Sequence, residues 1–279
     1  MERNAPLKDQ RAHLRAGSRN IDCGAAFRRI VKGCIHTIQH CRTAAVAGDA
    51  DAVHKMRIEL TRFHAALLFF SPVLTQGDWR RIRRHAHWLN SRLGKARDQD
   101  VLLEYASRRR YRGWARTSFR PIERERAKTY RKLAADLHSA RFRRLMRDID
   151  RQINRPRASS DGQQSGSVAI FGEARLLEWR DQIERTGRHL RKLGRKRQHR
   201  LRLKCKRYRY VVDSLVKLGA GLTPQDLLFR EAAKQVHATL GDLRDLRRFK
   251  STGKGRPPRY RARKRKLLKS AESAFRDNP

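Results

Sequence analysis

"VHKMRIELTRFHAALLFF", residues 53–70, is the stretch on which the fold turns. A helix rotates by roughly 100° per residue. On that wheel Val53, Met56, Leu60, Phe63 and Leu67 gather on one side, and His54, Arg57, Thr61, Arg62 and His64 cover most of the other. An apolar stripe of this kind must bury itself against neighbouring elements. The opposite side is unusual in being almost wholly cationic.

A related string, "QHRLRLKCKRYRYVVD", returns at 198–213. Setting His54 against His199 pairs Arg57 with Arg202, Ile58 with Leu203, Arg62-Phe63-His64 with Arg207-Tyr208-Arg209, and Leu67 with Val212. In this copy Leu201, Cys205, Tyr208 and Val212 form the apolar side, and His199, Arg202, Lys206, Arg207 and Arg209 the basic one. Ile58 and Leu203 intrude into each basic face at the same register, so the face reads as a partly packed wall carrying cationic heads. Downstream, "LGKARD" at 93–98 matches "LGDLRD" at 240–245. The two anchors lie 145 and 147 residues apart. A whole unit has therefore been repeated, not one motif.

Around these anchors the chain reads as helical. Residues 1–22 form a polar, flexible N-terminal segment. Phe27, Ile30, Val31, Cys34, Ile35 and Ile38 predict a helix over 25–47, stopped by "AGDAD" at 47–51. The next spans 52–70 and ends near Ser71-Pro72, because the residue before proline resists the α conformation. A third is expected from Asp78, as N-cap, to about 109, and a fourth over 121–153 with Pro121 in its first turn. "NRPRASSDGQQSGSVAIFG" at 154–172 reads as a linker. Helices resume over 173–194, 197–219 and 224–249. The last stretch, 250–279, holds eleven Lys/Arg and two acids and offers a final helix near 261–275 or a basic arm. Strand-like alternation is nearly absent. The expected architecture is all-α: two pseudo-symmetric antiparallel bundles of up to four helices, at 23–153 and 173–250, with the linker 154–172 between them and a basic segment at 251–279.

Sixty-nine Lys and Arg against 27 Asp and Glu give a formal charge of +42 over 279 residues. Such self-repulsion draws in polyanions: nucleic acid, anionic lipid or phosphate polymers. From Arg185 to Tyr210 there are thirteen Lys/Arg and no acid. Like charges one turn apart destabilise a helix, so a partner anion that neutralises the face explains why they persist. Arg offers a planar fork to phosphate oxygens, Lys a point charge, and His a donor whose pKa a nearby anion raises. No apolar run is long enough to cross a bilayer, and the N-terminus lacks a secretory apolar segment. Cys23, Cys34, Cys41 and Cys205 show no CxxC spacing and read as small apolar fillers in a reduced, cytoplasmic chain.

The quoted segments, with "LNSRLGKARDQDVLLE", "HRLRLKCKRYRYVVDSL" and "VHATLGDLRDLRRF", resemble the CHAD family, the conserved histidine α-helical domain, over about 25–250 and twice in the same order. The resemblance implies two four-helix bundles related by a pseudo-twofold axis. It implies a basic central groove that binds inorganic polyphosphate, and an association with polyphosphate granules. Carried over position by position, the family's His and first Arg fall on His54 and Arg57, and on His199 and Arg202. Its basic pair falls on Lys206 and Arg207, but on Thr61 and Arg62 in the first copy; a further Arg is Arg209, replaced by His64. The second half is therefore expected to bind more strongly.

Arg97-Asp98 and Arg244-Asp245 read as ion pairs beside a glycine that lets helices approach, or as carboxylates orienting the basic face from behind. His85 and His87, beside Trp88, and the tryptophans Trp79, Trp114 and Trp179 read as packing residues. No metal-ligand spacing, phosphate-cradling loop or paired-carboxylate set is present, so no cofactor and no catalysis are expected. The leading reading is non-catalytic polyphosphate binding through His54, Arg57, Arg62, His64, His199, Arg202, Lys206, Arg207 and Arg209. The alternative is non-specific nucleic-acid binding through the basic faces and the C-terminal segment; aromatics at 7% that do not interleave with the basic clusters argue against it.

Overall fold

The computed structural model describes residues 21–74, 79–107, 119–155, 166–252 and 259–276. Ten α-helices account for nearly all of them. In the first half these are α1 (Cys23–His40), α2 (Arg42–Val46), α3 (Ala50–Phe69), α4 (Trp79–Ser107), α5 (Phe119–His138) and α6 (Ala140–Asn154). The second half has α7 (Val168–Gly187), a 3-10 turn (Leu190–Lys192), α8 (Arg195–Lys217), α9 (Pro224–Thr252) and α10 (Tyr260–Arg276). The starts of α7, α8 and α9 lie 145 residues beyond those of α1, α3 and α4, so the helix order repeats with the sequence. Among the described residues the only β-type pairing is an isolated bridge between Asp22 and Ser167.

Short polar side chains set the helix starts. Asp22 accepts from Ala25 N at 2.7 Å and Asp49 from Asp51 N at 2.7 Å, closing off the first free N–H groups of α1 and α3. Three expected boundaries are corrected, two of them by the same chemistry. The helix read as 121–153 is two, because Ser139 Oγ accepts from Phe142 N at 3.2 Å and starts α6 afresh. The helix read as 25–47 turns at Cys41 before the short α2. Ser167 caps α7, which begins at Val168 rather than near 173. Val168 N donates to Ile21 O and Cys23 N to Gly166 O, both at 3.0 Å, so the second half starts against the start of the first. The predicted N-cap Asp78, Trp114 and most of the linker lie outside the described residues.

One continuous core serves both halves. It runs from Ile21 and Phe27 through Met56, Leu60 and Phe63 to Leu201, Tyr208, Val236 and Ala274. At one end of the seam Phe69 meets Phe171 and Trp179 edge-on, each at 5.5 Å between ring centroids. The C-terminal segment contributes α10, whose Leu268, Ala271 and Ala274 are buried in this core. Gly187 at the end of α7 makes room for it: a Cβ there would sit 2.5 Å from the Phe275 ring. Among the described residues no helix is long and apolar enough to cross a membrane.

Candidate functional site

Helices α3 and α8 pack against each other across the seam, with α4 and α9 alongside them. Val53, Met56, Leu60 and Phe63 of α3, and Leu201, Cys205, Tyr208 and Val212 of α8, go into the core. That leaves the side holding Arg57 and Thr61 turned toward the side holding Arg202 and Lys206. Lys206 Nζ donates to Thr61 Oγ1 at 3.0 Å. These are equivalent positions of the repeat, so the two copies meet at matching registers.

The cationic cluster here is dense. The Lys206 ammonium is pushed down to about 6, by burial first and then by Arg57, Arg202, Arg209 and Arg244. Arg202 is pushed down to about 10, again by burial first and then by Arg244, with Asp245 opposing. Arg57 is lowered by burial, with Asp98 opposing and Arg244 and Arg97 adding to the shift. These directions follow from charges withdrawn from water among like charges. His54 and His199 stand exposed at the rim, both lowered by partial burial and neighbouring arginines.

The conserved order of LGxxRD in the two copies now has a geometric reason. A Cβ at Gly94 would lie 3.9 Å from Arg57 Nε, and one at Gly241 would lie 3.5 Å from Arg202 Nε. Each glycine is thus the floor under a guanidinium, where close helix approach was the expectation. One of the Arg-Asp motifs works across the halves: Arg244 Nη2 donates to Asp98 Oδ1 at 2.6 Å, and Arg248 pairs with the same carboxylate. Asp98 therefore balances arginines of the other repeat. Asp245 lies near Arg244 and Arg202 with its carboxyl raised by burial. Arg97 adds positive charge beside His54 and Arg57.

The nine predicted residues do not all converge. Arg57, Arg202, Lys206 and Arg209 share the cluster, with His54 and His199 at its rim. Arg62 pairs instead with the buried Glu59; burial alone would lower its pKa, but Glu59 outweighs that and raises it. It faces Cys34 across a separate cavity of about 260 Å³ that also includes Arg29 and Lys217. His64 Nδ1 contacts its own helix at Leu60 O, 2.7 Å away, and sits near His87 and Arg207 on the α4 side. The reason is angular: residues spread over half a helix circumference cannot all point into one cleft.

Several site residues escaped the sequence reading. His237 on α9 is pushed down to about 2, by burial and then by Arg202, Lys206, Arg209 and Arg57. Its Nε2 is buried with no partner in the protein, as are Arg202 Nε and Arg209 Nε. It lies one turn before Gly241, on the same face; its repeat equivalent, Asn90, likewise has a buried Oδ1 without a partner. The Tyr210 ring carries Arg209 at 4.6 Å, Lys206 at 5.5 Å and Arg62 at 5.6 Å from its centroid. Beside the cluster, Arg195, His199, Arg202, Arg244, Arg247 and Arg248 line a cavity of about 430 Å³. Arg247 Nη2 donates to Gln198 Oε1 at 2.8 Å, which fixes part of that wall. Among the described residues no group of three His, Cys, Asp or Glu is placed to hold a metal ion, and the four cysteines are free and buried.

This arrangement can bind an anion with many oxygens. Donors are numerous, partly dry and short of acceptors. Two comparisons with known proteins bear on it. The CHAD domain sequence profile matches residues 29–251. The fold is similar to the crystal structure of the CHAD domain from the plant Ricinus communis, with a TM-score of 0.72 at 21% identity over 95% of each chain. It is also similar to PptA from Streptomyces chartreusis, with a TM-score of 0.63 at 13% identity over 92% of this chain and 99% of that one. No curated protein matches the chain in sequence.

Proposed function

The chain belongs to the CHAD domain family, and from that premise we propose that it binds inorganic polyphosphate in the cleft between α3 and α8, without cleaving it. The observation that carries this reading is the meeting of Arg57, Arg202, Lys206, Arg209 and Arg244 across the seam, with buried Arg202 Nε and Arg209 Nε lacking any protein acceptor. Leaving such donors unmet costs on the order of 1–3 kcal/mol each. A chain of phosphates supplies anionic oxygens at regular intervals and no bases, which is what a wall of arginine forks and one ammonium can use. The carboxylates near the cleft are engaged with arginines, Asp98 with Arg244 and Arg248. They balance charge and are not poised against a reacting phosphorus. Residence on polyphosphate granules follows from the same reading.

The test is a titration of long-chain polyphosphate at physiological salt against wild type and an Arg57→Gln/Arg202→Gln/Lys206→Met variant. Each lost charged hydrogen bond is worth about 1.5–3 kcal/mol, so affinity should fall by at least about a hundredfold. The wild-type affinity should also drop steeply with salt as counterions are released. Equal binding by the variant would overturn the assignment of the cleft. Chain shortening on a gel would overturn the non-catalytic part. Tighter binding of duplex DNA than of polyphosphate would favour a nucleic-acid role. In that case α10 should not simply be deleted as a free arm, since its buried residues help build the core.

A further inference from the structure

Helix α8 has a second cationic side. Arg197, Arg200 and Lys204 stand one and two turns apart, on the flank away from Arg195, Gln198, His199 and Arg202. They face the end of α7 and the 3-10 turn, and together these elements enclose a cavity of about 630 Å³. Its other charged residues are Arg185 and Lys192; Thr186, His189, Leu193 and Leu201 complete the lining. No carboxylate lines it.

Some surface arginines elsewhere are matched with acids, as in Arg81–Asp148, Arg92–Asp136 and Arg230–Asp213. Among the described residues none of the five lysines and arginines of this cavity has a carboxylate within ion-pair distance. The polar contacts they do make are to uncharged oxygens: Arg185 Nε to Asp181 O at 3.2 Å, and Lys204 Nζ to Gln182 Oε1 at 3.3 Å. The feature also belongs to one copy only. At the positions equivalent to Arg197, Arg200 and Lys204 the first repeat has Ala52, Lys55 and Glu59, so only one of the three is basic there. Between this cavity and the one lined by Arg202, the first turns of α8 expose Arg195, Lys196, Arg197 and Arg200, with His199 among them, as a basic ridge.

We propose that this outer cavity is a second binding site for linear polyphosphate, and that one long chain runs from the central cleft over the ridge of α8 into it. The inference rests on the central cleft being a polyphosphate site. The occupant is a phosphate polymer rather than single-stranded nucleic acid because the lining has no Phe, Tyr or Trp, only the single His189 ring, where stacking successive bases needs a run of aromatic faces. Two linked sites bind a long ligand by avidity, which multiplies affinity by about 10²–10⁴ without any new contact. Tripolyphosphate, shorter than the ~10–12 Å width of a helix, cannot bridge them. The outer site therefore makes the protein select chain length.

The experiment combines lysine acylation footprinting with affinity measurement on the full chain. Long-chain polyphosphate and tripolyphosphate should each protect Lys192 and Lys204 from acylation. An Arg197→Gln/Arg200→Gln/Lys204→Gln variant should lose about a hundredfold in affinity for the long chain, and less than about threefold for tripolyphosphate at the remaining site. These side chains lie at the surface, and circular dichroism checks that the helices persist. In the cleft variant Arg57→Gln/Arg202→Gln/Lys206→Met, tripolyphosphate should still protect Lys192 and Lys204. Unchanged acylation at saturating long-chain polyphosphate overturns the outer site while leaving the cleft intact. Unchanged long-chain affinity in the outer variant does the same. Preferential protection of Lys192 and Lys204 by an oligothymidylate overturns the occupant. Loss of the central reading shows itself separately, as full long-chain affinity in the cleft variant.

Discussion

Three long helices of each half share an order and a register, yet the halves divide the chemistry unequally. Where the second copy has Lys206, Arg209, His237 and Lys204, the first has Thr61, His64, Asn90 and Glu59. The contact between copies explains part of this. Lys206 Nζ lies 3.0 Å from Thr61 Oγ1. Had both copies kept lysine, two ammonium groups would have met in a half-dry seam, where repulsion is poorly screened. One copy has kept the lysine and the other has become its acceptor. Arg57 and Arg202 show the alternative: both charges are kept, and both are depressed by burial and by their neighbours. A duplicated cationic helix that packs on its own copy must either lose charges at the contact or hold them under strain until an anion arrives.

The strongest way to break this division is to restore the missing lysine. Thr61→Lys places a second lysine against Lys206 in the half-dry seam with no added acid, so it must either deprotonate or stay charged among like charges. Chemical denaturation at pH 7 should show a loss of about 3 kcal/mol, the scale of an uncompensated buried charge. Saturating polyphosphate should recover much of it, because the ligand neutralises both groups and stabilises the fold by mass action. A variant as stable as wild type would mean that the seam is wet enough to screen the pair, and the asymmetry would need another cause.

How much of this was legible beforehand follows from the period of a helix. The repeat, the all-helical architecture and the equivalence of Arg57 with Arg202 were readable, because heptad-like spacing and duplicated order survive in one dimension. The choice among cations was not. Arg62 and Lys206 are both basic-face residues on the wheel, yet Arg62 turns to Glu59 and Lys206 to the seam, since only packing fixes which part of a broad face meets a partner. His237 was invisible for a related reason: it sits on a helix read for its LGxxRD motif, and its burial depends on α8 lying across it. The break at Ser139 was missed because the apolar spacing runs on through it, and a serine there reads equally well as surface.

A second, smaller effect sharpens the comparison through pH. Lys206 moves from an ordinary 10.5 to about 6 in the folded chain. Between those values the unfolded chain carries the extra proton, so native stability should rise with pH across this window, and the penalty is fully present below about 6. His237 and Arg202 titrate largely outside it, between about 2 and 6.5 and between about 10 and 12.5. Denaturation midpoints from pH 6.5 to 9.5 should therefore show a slope in wild type that Lys206→Met reduces by up to about 1.4 kcal/mol per pH unit. Thr61→Val, on the other copy, should leave that slope. Binding runs in the opposite sense: an anion restores the ammonium, so polyphosphate affinity should weaken as pH climbs above 6. Matching slopes in wild type and Lys206→Met would show that the lysine is charged throughout.

The smallest expected effect separates the two glycine floors. Replacing glycine by alanine inside a helix gains about 0.5–1 kcal/mol from reduced backbone freedom. At Gly94 the new methyl would stand 3.9 Å from Arg57 Nε, an ordinary contact, so Gly94→Ala should stabilise the chain and leave polyphosphate binding alone. At Gly241 it would meet Arg202 Nε and Nη2 at 3.5 Å and lie against more of the guanidinium. Gly241→Ala should gain similar stability, and any loss of affinity should stay within about threefold, because the methyl touches the Arg202 guanidinium only at ordinary contact distance, well under the loss of a whole charged hydrogen bond. Melting temperature and polyphosphate titration on the two variants read these quantities independently. An affinity loss at Gly241 without one at Gly94 identifies Gly241 as a support for the binding arginine. A stability loss at either position would return it to the role of a close helix contact.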